Sequence, residues 1–189
     1  MCTSIFITTN DKKHLLARTM DFSYPIDAQP LYLPRDYSWA SASDGKKWTN
    51  QFGFLGTGAD LGEDYFVCDG VNEAGLSVAE LYLPGEAVYQ EKSNPEKTNL
   101  CPHEFITWIL GNFSSIDALR EAIEDINLVD IAVPILGFVT PLHWIITDTN
   151  GKSVVIEPTE ETLHFKEDPV NVMTNTPQLE WHLSLIHIS

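Results

Sequence analysis

The chain has 189 residues, 43% of them hydrophobic, which is enough for one domain with a sizeable core. Its net charge of −16 predicts a surface that repels nucleic acid and anionic lipid, so we expect no nucleic-acid partner. No run approaches the ~18 apolar residues of a membrane span and no signal peptide is recognisable, so we expect no membrane partner and a cytoplasmic location. The three cysteines, at positions 2, 68 and 101, are odd in number and lack metal-ligand spacing, so we expect no disulfide framework and no zinc site. We also expect no metal or organic cofactor.

The predicted elements begin with a β-hairpin. Residues Thr3–Thr9 and Leu15–Thr19 are β-rich, and the polar stretch between them is typical of a hairpin turn. Antiparallel counting across a four-residue turn places Cys2 opposite Asp21 and near Arg18. Both strands are almost continuously apolar, which predicts a sheet covered on both faces.

Further strands are predicted on either side of two helices. The first helix, Pro102–Leu110, starts at a proline, whose missing N–H costs nothing at a helix start. The second, Ile116–Ile126, has an apolar stripe at helical spacing and can be capped by Ser114 or Ser115. Strands are predicted at Pro30–Leu33, Tyr65–Val71, Leu76–Leu83, His143–Thr147, Ser153–Glu157, Thr162–Phe165 and Asn171–Met173. This order fits a layered α+β fold with helices outside a pair of sheets.

Cys2 is the residue with the clearest chemical meaning. Methionine aminopeptidase removes Met1 when the next side chain is small, so the mature chain is expected to begin with a thiol and a free α-amine on one residue. Such a residue holds a nucleophile and a matched base together. The alternative is that Met1-Cys2 is simply how the reading frame starts. The position of Cys2 alone favours that alternative, whereas the motifs that follow favour a catalytic Cys2.

Four short motifs follow one another along the chain. They are Met1–Ser4, Arg18–Asp21, Val71–Val78 leading into Glu80–Pro84, and Val172–Pro177 followed by Trp181 and His182. In this order and spacing they resemble the choloylglycine hydrolase family, which comprises conjugated bile acid hydrolases and penicillin V acylases. The resemblance runs from Cys2 to about His182. It implies an N-terminal nucleophile (Ntn) hydrolase fold, an αββα sandwich that is incomplete at the C-terminus of this chain.

The resemblance also implies how the chain is organised. Residues 1–182 would be the N-terminal part of a single Ntn-hydrolase domain. Residues 183–189 are expected to be a non-native tail, because they can be back-translated into a transposon-end sequencing adapter, with an ordinary C-terminal strand as the alternative. The family's remaining catalytic arginine would lie beyond this chain, so this polypeptide itself is expected to be inactive. Family members are often homotetramers, and we expect a homo-oligomer at full length.

Five residues receive catalytic roles from the resemblance. Cys2 would be the nucleophile with its own α-amine as general base, and Asp21 would accept a hydrogen bond from that amine or orient the thiol. Arg18 would place positive charge beside the sulfur and favour the thiolate. The side-chain amide of Asn175 and the backbone N–H of Tyr82 would stabilise the oxyanion. The implied reaction is hydrolysis of a linear amide in a small N-acyl compound through an acyl-thioester, and the implied partner is that small-molecule amide.

Substrate contacts are implied at an apolar acyl pocket. The candidates are Met20, Ile131 and Ile135. Bile salt hydrolases commonly carry asparagine where Tyr82 stands, whereas several penicillin V acylases carry tyrosine. This favours a flat aromatic acyl group such as phenoxyacetyl.

Other functions stay open at this point. A class II glutamine amidotransferase-like glutaminase also uses an N-terminal cysteine, although Thr3 stands where those enzymes usually have glycine. A non-catalytic binding protein of the same fold would be favoured by a retained Met1. Cleavage of acyl-homoserine lactones is chemically close to amide hydrolysis. Taken singly, the other four catalytic candidates also have ordinary interpretations as strand, turn, packing and capping residues.

Overall fold

The computed structural model describes residues 2–21, 27–62, 65–134, 136–160 and 162–186. These residues form fourteen strands, three α-helices and two short 3-10 turns, Pro102–Glu104 and Ile123–Asp125. The elements are β1 (Thr3–Thr8), β2 (His14–Thr19), β3 (Gln29–Leu33), β4 (Ser38–Ala40), β5 (Lys47–Thr49), β6 (Phe54–Asp60), β7 (Tyr65–Asn72), β8 (Ser77–Tyr82), β9 (Thr98–Leu100), α1 (Phe105–Asn112), α2 (Ile116–Ala122), β10 (Ile126–Leu128), β11 (Leu142–Thr147), β12 (Ser153–Thr159), β13 (Thr162–Glu167), β14 (Val172–Thr174) and α3 (Leu179–Ile186).

The turn between β1 and β2 has three residues. The Thr9 N–H donates to the Lys13 carbonyl (2.8 Å), so both of these residues belong to the hairpin ladder. Lys12 adopts a left-handed conformation with φ 64°. A left-handed residue at the end of the loop is typical of three-residue hairpin turns. The predicted turn is one residue longer, and this difference shifts the pairing of the two strands.

The register of β1 and β2 follows from this turn. Ser4 lies opposite Arg18, and the pairing continues in step along both strands. The prediction that Cys2 lies opposite Asp21 is therefore wrong by one residue. The correction has a chemical consequence, because directly paired residues share a face of the sheet. Arg18 and Cys2, two residues before Ser4, lie on the same face.

A three-stranded sheet with the order β14-β1-β2 has one buried and one exposed face. The inner face of β1 carries the buried residues Cys2, Ser4 and Phe6. The large apolar side chains that the outer face exposes are Ile5 (42%), Ile7 (43%) and Leu15 (55%). The prediction that this sheet is covered on both faces is therefore wrong for the described part of the chain, although the apolar run itself is real.

A seven-stranded antiparallel sheet forms the centre of the molecule, with the order β13-β12-β11-β8-β7-β6-β3. One face packs against the inner face of the small sheet through Cys2, Ala79, Leu81, Ile145, Val155, Met173 and Leu179. The other face packs against α1 and α2, around a core that includes Phe105, Ile109, Leu119, Trp144 and Ile156. The predicted arrangement, with helices outside a pair of sheets, is confirmed.

The sequence does not predict β6, because two glycines interrupt its apolar pattern. The structure shows why these positions lack a side chain. A Cβ on Gly56 would lie 2.2 Å from the Asp69 carbonyl oxygen, and one on Gly58 would lie 2.1 Å from that of Phe66. Glycine therefore allows β6 to lie close against β7. The other elements that the sequence does not predict are β4, β5, β9, β10 and α3.

The two predicted helices are present with adjusted ends. The first begins as the 3-10 turn Pro102–Glu104 and continues as α1. The second is capped by Ser115, whose hydroxyl accepts the Ala118 N–H at 3.2 Å, and it passes after α2 into the turn Ile123–Asp125. In the described ranges, no helix has both the length and the apolar character that are needed to cross a bilayer.

Asn72 joins the β7–β8 hairpin to the end of α1. Its side-chain N–H groups donate to the carbonyls of Leu110 (2.9 Å) and Phe113 (2.7 Å). Its side-chain oxygen accepts the backbone N–H groups of Ala74 (3.1 Å) and Leu76 (3.0 Å). The amide is buried and uses its donors and its acceptor fully. The turn between β7 and β8 is therefore also a packing contact between sheet and helix.

Replacing Asn72 with alanine should lower the free energy of unfolding by about 3 kcal/mol, because buried backbone groups lose their partners. Urea unfolding followed by circular dichroism measures the loss. As a matched control, Asn150→Ala removes only a 3.4 Å contact with Asp148 at the surface and should cost less than about 0.5 kcal/mol. Equal losses in the two variants would contradict the role given to Asn72.

His103 is a buried histidine in the 3-10 turn before α1. Its ring packs edge-on against Phe66, with ring centroids 6.4 Å apart. Its Nδ1 has no hydrogen-bond partner among the described residues. Burial lowers the pKa of His103 to about 4, so the folded protein keeps this ring neutral well below neutral pH. In the unfolded chain this histidine takes up a proton near its ordinary pKa of 6.5.

This difference predicts acid sensitivity. The contribution of His103 to stability is fully present above pH 6.5 and declines as the pH falls toward 4, by about 3 kcal/mol in total. Unfolding free energies measured across this range should fall less steeply in His103→Gln than in the unmodified protein. His164→Gln serves as a control and should keep the original slope. If His103→Gln also keeps that slope, the ring is not the source.

Candidate active site

Cys2 lies on the inner face of β1, between the two sheets. Its side chain is 4% exposed and belongs to the apolar cluster that joins the sheets. On one side β1 pairs with β14, where Thr3 lies opposite Thr174. The next residue of that segment is Asn175, and its side-chain oxygen accepts the backbone N–H of Cys2 at 2.5 Å. The backbone nitrogen of Cys2 and the side-chain amide of Asn175 are thus in direct contact.

Tyr82 ends β8 and meets the same segment from the larger sheet. Its carbonyl oxygen accepts the Thr176 N–H at 3.1 Å. Since the N–H and C=O of a strand residue point to the same side, the Tyr82 N–H faces the Asn175–Thr176 segment. Leu142 lies opposite Tyr82 on β11, and its N–H donates to the Tyr89 hydroxyl at 2.8 Å rather than to Tyr82. The backbone of Tyr82 therefore lies beside the backbone segment that carries Asn175.

Arg18 extends from β2 across the space between the sheets. Its side chain is 8% exposed. One terminal nitrogen donates to the Glu80 carbonyl at 3.1 Å, and the other lies 3.4 Å from an oxygen of the Asp69 carboxylate. Its position opposite Ser4 makes it a diagonal neighbour of Cys2 on the inner face. A buried guanidinium is thus present on the face that carries the sulfur.

Four predicted site residues remain, namely Met20, Asp21, Ile131 and Ile135. Met20 follows β2, is half-buried and continues the strand toward the position opposite Cys2. Asp21 comes next and is exposed. Ile131 is half-buried in the connection from β10 to β11. Ile135 lies outside the described residues. The roles given to these four residues stay predictions.

Four residues near Arg18 received no role from the sequence, namely Thr57, Cys68, Asp69 and Glu80. The Thr57 hydroxyl donates to the Asp69 carboxylate at 2.7 Å. Glu80 is buried, and burial raises its pKa well above the usual range, which favours the neutral acid. Burial, and then the nearby Glu80, raises the pKa of the Cys68 thiol as well. An aspartate after the apolar run of β7 is the signal that could have drawn attention to this cluster.

Comparison with known proteins gives the family. Residues 2–187 match the family described as linear amide C–N hydrolases, choloylglycine hydrolase family. The chain belongs to this family. It is 35% identical over 184 residues to a bile salt hydrolase/transferase from Clostridium perfringens, covering 97% of this chain and 56% of that protein. It is 24% identical over 179 residues to the penicillin V acylase of Pectobacterium atrosepticum, covering 90% of this chain and 47% of that protein.

Solved structures agree with this assignment. The crystal structure of an R18L variant of conjugated bile acid hydrolase from Clostridium perfringens superimposes with a TM-score of 0.92 at 34% identity, covering 99% of this chain and 57% of that one. Penicillin V acylase from Agrobacterium tumefaciens gives a TM-score of 0.79 at 22% identity, covering 100% of this chain and 56% of that one, and supports the fold. The predicted family and the Ntn-hydrolase fold are confirmed. The chain spans about half the length of these relatives, from 47% to 57%.

In this choloylglycine hydrolase family member, Glu157 ties α3 to the larger sheet just after Asn175. Its carboxylate accepts the Leu179 N–H (3.0 Å) and the Lys166 ammonium (2.6 Å), and it lies 3.0 Å from Nδ1 of His143. Burial opposes ionisation, but the hydrogen bonds from His143 and Lys166 outweigh it and lower the pKa of Glu157 below its usual value. The carboxylate therefore anchors the start of α3, four residues beyond Asn175.

Glu157→Gln should lower the free energy of unfolding by about 3 kcal/mol, because it removes one partner of a buried ion pair. It should also speed hydrogen exchange at the Leu179 amide, since the anchor of α3 is weakened. Glu180→Gln removes an exposed partner of the same Lys166 and should cost less than about 1 kcal/mol. The anchoring role is wrong if exchange at Leu179 is equally slow in both variants.

Proposed function

We propose that the whole protein hydrolyses the linear amide bond of small N-acyl compounds, with Cys2 as nucleophile. The observation that carries the proposal is the contact between the Cys2 nitrogen and the Asn175 side chain, 2.5 Å long, beside a thiol enclosed between two sheets. Membership of the linear amide C–N hydrolases supports the reaction class. Hydrolases of conjugated bile acids and of penicillin V are among the relatives and structural neighbours.

The proposed reaction begins with removal of Met1, which converts the Cys2 nitrogen into an α-amine. This amine takes the thiol proton while the sulfur attacks the amide carbon, and Asp21 orients the amine. The tetrahedral intermediate collapses, the C–N bond breaks, and the leaving amine departs with the proton. Water then attacks the acyl-thioester, so the carboxylic acid is released and the thiol is restored. Arg18 favours the thiolate during attack.

Asn175 and Tyr82 are proposed to hold the oxyanion. The Asn175 oxygen is occupied by the Cys2 nitrogen, which directs the two N–H groups of the same amide elsewhere. The Tyr82 N–H faces the Asn175 segment from the other sheet, as its carbonyl contact with Thr176 indicates. Two donors that converge from separate elements are suited to the negative charge of a tetrahedral intermediate.

The acyl part of the substrate is proposed to be apolar. Met20, Ile131 and Ile135 would line its pocket, beside the polar groups that hold the reacting amide. Tyr82 favours a flat aromatic acyl group, while the higher identity to bile salt hydrolases favours a steroid acyl group. Penicillin V and the glycine and taurine conjugates of bile acids are therefore the substrates to compare.

The organisation of the whole protein is a further part of the proposal. We infer a single domain of which residues 1–182 are the N-terminal part, a cytoplasmic location and a homotetramer. The α3 helix runs through residue 182 to Ile186, so the boundary proposed for a non-native tail falls inside a helix. A longer read of the same locus tests the tail, and light scattering of the purified protein tests the oligomer.

Cys2→Ala, in protein expressed from the complete reading frame, should lower hydrolysis of whichever of these amides is the substrate by ~10³-fold or more. Asn175→Ala should lower kcat by ~10²–10³-fold with the fold intact. Product release by chromatography measures both, and mass spectrometry of the N-terminus reports whether Met1 is removed. Hydrolysis that survives Cys2→Ala contradicts the mechanism. A retained Met1 without hydrolysis supports the binding protein, and ammonia release from glutamine supports the glutaminase.

A further inference from the structure

The guanidinium of Arg18 is held by few contacts. It is almost fully buried, and the polar groups that it contacts in the described part of the chain are the Glu80 carbonyl and the Asp69 carboxylate. Its Nε has no hydrogen-bond partner among the described residues. A long, flexible side chain with so few contacts needs each of them to keep its charge in one place. Loss of either contact should displace the cation.

Two carboxyl groups lie close enough to serve as the counterion of Arg18. Glu80 is almost fully buried, and its Oε2 has no partner in the described part of the chain. Burial disfavours its charged form. Asp69 is 22% exposed, lies against a terminal nitrogen of Arg18 and accepts a hydrogen bond from Thr57 at 2.7 Å. An anion with water access and an O–H donor is the better match for the guanidinium.

The backbone fixes the direction of the Asp69 side chain. Asp69 lies opposite Thr57 on β6 and opposite Ala79 on β8. Ala79 belongs to the apolar cluster that contains Cys2, so Asp69 points into the space between the sheets. The pairing with β6 shifts by one residue just beyond Thr57, and such bulges redirect side chains. The Thr57–Asp69 pair is therefore built into the sheet and does not depend on a loop.

We propose that Asp69, braced by Thr57, is a positioning residue that fixes the guanidinium of Arg18 on the inner face beside Cys2. This inference rests on the proposed function, because it assigns Asp69 an effect on the nucleophile. Asp69 touches neither the substrate nor the sulfur in this scheme. It acts through Arg18, and its ion pair lines a cleft of about 500 Å³ between β2 and the larger sheet.

The first test measures the rate of Cys2 alkylation by iodoacetamide in the whole protein, located by mass spectrometry, which needs no substrate. Asp69→Asn should slow alkylation about tenfold, because the cation moves away from the sulfur. The sign is decisive. If Asp69 acted only through its own negative charge, removing it would make the site more positive and would speed alkylation. Thr57→Val, which keeps the charge and removes the brace, should slow alkylation about threefold.

Two acid-to-amide variants serve as comparisons. Glu73→Gln removes an exposed ion pair with Arg35, in which the nitrogen and oxygen lie 2.6 Å apart. The proposed scheme gives this pair no part in holding Arg18 beside Cys2, so the variant should leave the rate of alkylation unchanged. Glu80→Gln asks whether the other carboxyl is the counterion. A tenfold loss in Glu80→Gln together with an unchanged rate in Asp69→Asn would overturn the assignment.

A double-mutant cycle tests whether Asp69 acts through Arg18. In an Arg18→Leu background, Asp69→Asn should change alkylation less than about twofold, because the group that it positions is gone. The equivalent R18L variant of the Clostridium perfringens hydrolase has been crystallised, so this background is expected to fold. Independent, multiplicative losses would contradict the proposal and indicate general destabilisation.

Kinetics with the identified amide separate this inference from the proposed function. Asp69→Asn should lower kcat about tenfold and change KM less than about threefold, since Asp69 does not contact the substrate. If Cys2→Ala abolishes hydrolysis but Asp69→Asn keeps full kcat and full alkylation rate, only the role of Asp69 is wrong. If Cys2→Ala keeps hydrolysis, the proposed function fails, whereas the alkylation cycle still decides whether Asp69 positions Arg18.

Discussion

The pairing of Ser4 with Arg18 decides which face of β1 carries the sulfur of Cys2. Because side chains alternate along a strand, a slip of one residue would turn Cys2 to the outer face. The left-handed conformation of Lys12 closes the turn that sets this pairing. On the other side, β14 pairs with β1 in a matching register and brings Asn175 to the Cys2 nitrogen. Two neighbouring strands therefore enforce one alignment.

The space between the sheets combines an apolar cluster with the buried cation of Arg18. Leu81, Ile145 and Met173 pack beside Cys2, and Arg18 reaches through the same layer to the larger sheet. Charge interactions are stronger where water is excluded, so a guanidinium in this layer influences a nearby sulfur more than one at the surface would. The same exclusion makes every unpaired polar group costly, which is why the contacts of Arg18 matter individually.

The sequence predicts what is local or carried by a motif. The hairpin, the two helices and most strands of the larger sheet are recognisable from their patterns. The motifs select Cys2 and Asn175, which share a hydrogen bond, and Tyr82, whose carbonyl accepts the N–H of the residue after Asn175. The register of β1 and β2 cannot be predicted from the sequence, because it depends on the backbone conformation of one residue, Lys12. The Arg18–Asp69 contact joins residues 51 positions apart, and no local pattern reports such a pair.

The strand β6 shows a different limit. Its glycines weaken the apolar pattern, yet they are required because β7 approaches too closely for a side chain. Sequence reasoning treats such residues as interruptions, whereas the three-dimensional contact makes them part of the sheet. Thr57 lies between these glycines, so the residue that braces Asp69 belongs to a strand that pattern reading does not find.

The outer surface of the small sheet has a practical consequence. This surface carries a hydrophobic patch formed by Ile5, Ile7 and Leu15, on the opposite face of the strands that carry Cys2 and Arg18. The described residues leave the patch exposed to solvent. Exposed hydrophobic patches bind other proteins, chaperones included, and promote aggregation at high protein concentration. Solubility during expression, rather than chemistry, is therefore the first obstacle for anyone who purifies a polypeptide of this length.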